Sequence, residues 1–207
     1  GWIAHDFNNL LTAIGGNVDL ARMDVVAGST ADRRLIEASR AVSRAQGLTQ
    51  QLLTFSSGGA PMRKATPLAE ILHDSASFAT SGSRVRTDIR VPDDLWLADV
   101  DGNQIAQVVH NLALNAVQAM HDGGTLTITA ENVPTGSPGL DGRPLDGPRV
   151  RLIVADQGPG IPPESLSRLC EPFFSTKPDG SGLGLATCES IVRRHEGRMA
   201  IESSDRK

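Results

Sequence analysis

From Ile3 onward the apolar residues step by three and four, and at Ser57-Gly58-Gly59-Ala60-Pro61 that single rhythm gives way to mixed periods. Ile3, Phe7, Leu10, Leu11, Ile14, Val18, Ala21 and Val25 mark one face of a helix over 3–25. Gly28-Ser29-Thr30 breaks it, after which Leu35, Ala38, Val42, Ala45, Thr49 and Leu52 form a heptad-like seam. Two such helices make a hairpin that cannot bury its seam alone, so the pattern predicts a four-helix bundle assembled from two chains. A homodimer is expected.

Gly and Pro end the second helix because neither continues the helical ladder well. The boundary there predicts one domain over 1–59 and another over 60–207. In the second, the periods predict a helix over 67–79, strands over 85–91 and 95–100, and a helix over 103–120. Strands over 125–132 and 150–155, a helix over 183–195 and a last strand over 198–203 complete the pattern. The fold class is therefore α+β: a helical hairpin followed by an α/β sandwich. Residues 134–148, rich in Gly, Pro and Asp, read as a mobile surface connection.

A chain of 207 residues suits one domain with a small helical companion. No apolar run approaches membrane-spanning length and no signal peptide is visible, so no membrane contact is expected of this portion and a cytoplasmic location is. The net charge of −4 and the lack of a basic stripe argue against a nucleic-acid partner. Cys170 and Cys188 have neither metal-ligand nor disulfide spacing and read as inert. There is no initiator Met, and the chain reads as part of something longer.

Three constellations carry chemistry in the second region. In N-L-A-L-N-A-V-Q-A, Ile105, Val108, Leu112, Ala116 and Ala119 form the expected buried face, while Asn111 and Asn115 stand one turn apart beside it. Their side-chain oxygens suit a hard cation such as Mg²⁺, although two solvated amides would look the same. In D-Q-G-P-G, Asp156 ends an apolar strand, and Gly158 and Gly160 allow a flat ligand to approach while the carboxylate accepts from an exocyclic amine. A plain turn is the alternative. In D-G-S-G-L-G-L-A, Gly180, Gly182 and Gly184 open a helix whose N–H groups suit phosphate oxygens. There is no G-x-x-x-x-G-K-[ST], which excludes a P-loop.

Taken in order, these motifs resemble the sensor histidine kinases of two-component signalling. H-D-F-N-N-L-L is similar to the family's H-box, N-L-A-L-N-A to its N-box, D-Q-G-P-G to its G1 box, E-P-F-F to its F-box and G-S-G-L-G-L to its G2 box. H-D-F-N-N with F-F-S-T-K is similar to the nitrogen-regulation and hybrid-kinase subgroup. The resemblance implies a dimerisation and phosphoacceptor hairpin followed by a Bergerat-type ATP-binding domain. It implies His5 as the nucleophile toward ATP, Asp6 orienting its imidazole, and Asn9 positioning water when a phosphorylated response-regulator receiver is dephosphorylated. Asn115 becomes the Mg²⁺ ligand with Asn111 beside it, and Asp156 the adenine reader. Gly158 and Gly160 shape that pocket, and Gly180, Gly182 and Gly184 border the phosphates. Lys177 is placed to neutralise γ-phosphate charge from a closing lid, with Phe173 and Phe174 packing that lid. His73, His110, His121 and His195 match no motif position.

Two departures accompany the resemblance. Little helix precedes His5, and the chain stops at Ser204-Asp205-Arg206-Lys207, where the family continues into a final strand whose absence would leave a sheet edge unpaired. A catalytically silent, dimeric nucleotide-binding scaffold is the alternative function, and a conformational ATPase of the same superfamily has no use for the H-box hairpin.

Overall fold

The computed structural model describes residues 2–39, 41, 42, 45, 60–177 and 180–203, with side chains described from residue 9 onward. The chain divides into two compact units, Gly1–Gly59 and Ala60–Lys207.

In the first unit, α1 (Trp2–Met23) and α2 (residues 30–39) are joined by a turn fastened by Asp32. Gly28 N–H donates to its carboxylate at 2.7 Å and Arg22 Nε at 2.9 Å. Ser29 caps α2, its Oγ accepting from Asp32 N–H at 3.0 Å. The glycine at position 28 has φ +77°, which a side chain would strain. A Cβ on Gly15 would stand 3.3 Å from Val42 Cγ1, so the two helices approach closely there. Leu11, Val18, Leu35, Ala38, Val42 and Ala45 are half-buried along the expected seam. Leu10 and Ile14, assigned to the same apolar face, are 60% and 50% exposed. Thr49, Leu52 and the break at 57–59 lie outside the described residues.

The second unit holds β1 (Lys64–Thr66), α3 (Ala69–Thr80), β2 (Val85–Arg90), β3 (Ala98–Val100) and α4 (Gly102–Ala119). β4 (Gly124–Val133), β5 (Arg149–Ala155), α5 (Pro163–Leu166) and α6 (Gly184–Arg194) follow. β1 and β3 form an antiparallel pair, while a three-stranded sheet runs β2-β4-β5, parallel at β2-β4 and antiparallel at β4-β5. This is a mixed α/β layer structure.

Its main core joins Leu72 and Ala76 of α3, Ile105, Val109, Ala113 and Ala116 of α4, and Leu126, Ile128 and Ala130 of β4. A second cluster, Val108, Cys188 and Ile191 with Leu112, Val192 and Met199 against them, sets α6 on another side of α4. This two-sided packing corrects the single buried face expected for α4: Leu112 and Ala119 are half-buried, whereas Val109 and Ala113 are fully buried. Asp101 caps α4 by accepting from Asn103 N–H and Gln104 N–H, and its other oxygen accepts from Met62 N–H at 3.1 Å. His195, at the end of α6, accepts the Asp101 N–H on Nε2 at 3.0 Å and places Nδ1 2.8 Å from Ile191 O. It is a buried structural histidine.

Two expectations are corrected here. Residues 198–203 form no strand, because alternation supplies a face but not a partner, and no described segment makes a ladder with them. Met199 instead packs in the α4–α6 cluster, and Ile161 N–H donates to Ser203 Oγ at 2.7 Å. Residues 134–148 are not a loose connection: Leu145 O accepts from Gly136 N–H at 2.9 Å, Ser137 O from Leu145 N–H at 3.0 Å and Arg143 O from Gly139 N–H at 2.8 Å. Their Gly and Pro content serves the tight turns of this small closed loop. Arg198 pairs with Asp141, holding the loop to the segment after α6. Among the described residues no helix is long and apolar enough to cross a membrane.

Candidate functional site

The last two turns of α4 gather the motifs of the second unit. Asn111 and Asn115 are half-buried there, and the Asn111 amide nitrogen is buried where its side chain bonds the Cys188 thiol.

Asp156 stands exposed just past the end of β5, its Oδ1 accepting from Gly158 N–H at 2.8 Å. That bond folds the turn back on its own aspartate. A Cβ on Gly158 would lie 2.8 Å from Asp156 Oδ1 and 2.9 Å from Ala119 Cβ, so only glycine lets the turn lie on α4. Gln157 fastens it twice: its N–H donates to Met120 Sδ at 3.3 Å, and its Oε1 accepts from Thr125 N–H at 3.0 Å. Gly160 has φ +87°.

Lys177 reaches the same place from the segment before α6. Its Nζ donates to Gln118 Oε1 at 2.9 Å and to Asn115 O at 3.4 Å, at the negative end of the helix dipole. Burial lowers the pKa of its ammonium, and the nearby Asp156 charge opposes that shift. Below Lys177 the backbone is tightly folded. Phe173 N–H donates to Gly182 O at 3.0 Å, and a Cβ on Gly182, at φ +66°, would meet Phe173 Cα at 2.7 Å. A Cβ on Gly180 would collide with Ser175 Oγ. Gly184 begins α6, and a Cβ there would stand 3.8 Å from Asn115 Nδ2. No side chain caps the start of α6.

Phe174 packs beneath Arg168, whose guanidinium lies 4.2 Å from the ring centre, whereas Phe173 is 67% exposed at φ +69°. Burial pushes the Cys188 thiol up to about 12 and raises Cys170 as well, so both stay protonated and poorly nucleophilic. Asn9 is exposed on α1. The side chains of His5 and Asp6 lie outside the described residues, as does Asp179. Met120 and Gln118 were not singled out in the sequence, and Ala119 only as part of a buried face. They support the motifs through a sulfur acceptor, a lysine acceptor and a small contact surface.

The pattern of the histidine kinase-, DNA gyrase B- and HSP90-like ATPases matches residues 100–207, the span that holds Asn111, Asn115, Asp156, Lys177 and the glycines around them. The chain belongs to that family. The relatives it matches are sensor kinases. It is 34% identical to the sensor kinase CckA of Brucella abortus (strain 2308) over 98% of this chain and 22% of that protein. It is similar in fold to full-length ShkA, solved in complex with AMPPNP, with a TM-score of 0.70 and 23% identity over 93% of this chain and 40% of that one. The histidine kinase ThkA, solved in complex with the response regulator protein TrrA, shares the fold with a TM-score of 0.63 and 23% identity over 94% of this chain and 54% of that one. The chain thus spans less than a quarter of the sensor kinase CckA that it matches.

Proposed function

We propose that this chain is the core of an ATP-dependent protein-histidine kinase that phosphorylates its own His5 and passes the phosphoryl group to an aspartate of a response-regulator receiver. One juxtaposition supports the reading: Asn115, the Asp156–Gly158 turn, Lys177 and Gly184 come from separate stretches and all abut the end of α4. A flat base over the Gly158 turn, with phosphates toward Lys177 and the start of α6, uses every one of those features. The Asn115 side-chain oxygen fits a hard cation, with Asn111 beside it on the same helix. Mg²⁺ held there would disperse phosphate charge. Gly160, Gly180 and Gly182 let the backbone of both turns approach the nucleotide.

In the first step an imidazole nitrogen of His5 bonds to the γ-phosphorus while the bond to the β,γ-bridging oxygen breaks, and ADP leaves with that electron pair. Asp6 accepts from the other ring N–H and keeps the attacking nitrogen unprotonated. In the second step a receiver carboxylate oxygen attacks the same phosphorus and His5 leaves as neutral imidazole. Asn9 orients the water that hydrolyses the receiver's phosphoaspartate, releasing phosphate. Residues 1–59 serve as dimerisation and acceptor domain, 60–207 as ATP-binding domain, and the work is done in the cytoplasm. The exposed Leu10 and Ile14 support a homodimer, since a second hairpin would cover them.

The test is incubation with γ-labelled ATP and Mg²⁺. Acid-labile, alkali-stable label is expected on the wild-type chain and none on His5→Gln, whose ATP binding should be unchanged. ATP binding without label would favour the silent scaffold.

A further inference from the structure

We infer that Met120 is a positioning residue for base recognition, its thioether holding the turn that carries Asp156 in the orientation that reads the base. Met120 follows the last residue of α4, is 4% exposed, and accepts the Gln157 N–H on Sδ at 3.3 Å. The sulfur has a made place: a Cβ on Gly124, where β4 begins, would come 2.6 Å from it. Gln157 is held on its other side by Thr125 N–H. Asp156 therefore leaves the end of β5 into a residue gripped by both its backbone and its side chain.

The orientation matters because Asp156 Oδ1 is already engaged with Gly158 N–H. The other oxygen is the more open acceptor for an exocyclic amine, and its direction follows the turn. A thioether is a weak acceptor, but the alternative for this part-buried N–H is no protein partner at all. Replacing Met120 by leucine conserves volume and removes only the acceptor. The turn then rotates to bring the Gln157 N–H to water, and Asp156 turns with it.

This inference rests on the reading of Asp156 given under Proposed function, and the experiment separates the two. Calorimetry with ATP and with inosine triphosphate, which carries a carbonyl in place of the amine, is run on the full chain and on Met120→Leu, Met120→Gln and Asp156→Asn. For Met120→Leu, ATP affinity should fall about tenfold, the share of one hydrogen bond to a charged group, with little change for the inosine nucleotide. Discrimination between the two collapses. Met120→Gln, whose amide oxygen can accept the same N–H, should recover part of it even with a lower melting temperature. The Gln157 amide should exchange faster in Met120→Leu than in the wild-type chain. A Met120→Leu chain that melts earlier but keeps the wild-type ratio makes Met120 a packing residue and overturns the inference. If Asp156→Asn abolishes discrimination and Met120→Leu does not, Asp156 stands and only Met120 falls. Unchanged discrimination in Asp156→Asn overturns both.

Discussion

Lys177 donates to Gln118 Oε1 at 2.9 Å across the end of α4, so the segment before α6 is tied to the helix that carries Asn115 by a cation whose charged form burial disfavours. A lysine with a lowered pKa discharges earlier than an exposed one as pH rises. If its ammonium meets ATP phosphates, kcat/KM for ATP should decline on the alkaline side below the usual lysine range, since that ratio reports the free enzyme. Lys177→Arg should move the decline to higher pH, because guanidinium does not titrate there. A pH profile of initial labelling rates checks this, and identical alkaline limbs would remove Lys177 from phosphate binding.

Gly182→Ala places a Cβ against the Phe173 backbone at a residue with φ +66°. The expected result is a loss of ATP affinity of about tenfold or more, with the cores around α4 intact, because strain of ~1 to 3 kcal/mol falls on the turn alone. Calorimetry alongside a thermal melt tests it, and a global loss of fold with no local affinity effect would contradict it.

The Asp32 carboxyl is held below its ordinary value of 3.8, first by the Gly28 N–H and then by Arg22. Because the folded pKa is the lower one, its contribution is present above the unfolded value and is lost as pH falls through the folded one. Acid should therefore loosen the α1–α2 turn, with exchange of the Gly28 amide becoming faster, relative to its intrinsic rate at each pH, below about pH 4. Asp32→Asn should show that faster exchange at neutral pH and lose the acid dependence.

Asn9→Ala should lower dephosphorylation of a pre-phosphorylated receiver far more than autophosphorylation, since alanine is the better helix former and the exposed site tolerates it. The assay omits ADP so that reversal of transfer cannot mimic hydrolysis. Equal loss of both activities would make Asn9 part of the helix or docking surface.

The Asp156–Gly158 turn was legible because a strand end, an acid and a glycine each announce themselves locally, and the close approach of Gly158 to Ala119 is the reason for that glycine. The grip of Met120 on Gln157 was not, since nothing local marks a thioether as an acceptor for a residue so far along the chain. Helices α3, α4 and α6 fall close to the ranges their apolar periods give, but α4 buries two sides rather than the one its period marked. β1 has too few residues for a period to be visible, and 198–203 has the alternation of a strand without a ladder. The composition of 134–148 announced turns but not that Arg143 O and Leu145 O would close them.

The parallel pairing of β2 with β4, Val85 beside Gly124 and Arg90 beside Thr129, also sets an order of events as the chain folds. A parallel pair cannot be zipped from a tight turn; β3 and the whole of α4 must first be gathered in between, and such distant closures are slow. The α1–α2 hairpin closes through neighbours, from Arg22 to Asp32. A chain leaving the ribosome, N-terminus first, should thus possess its first helical pair well before the three-stranded sheet of the second unit is complete.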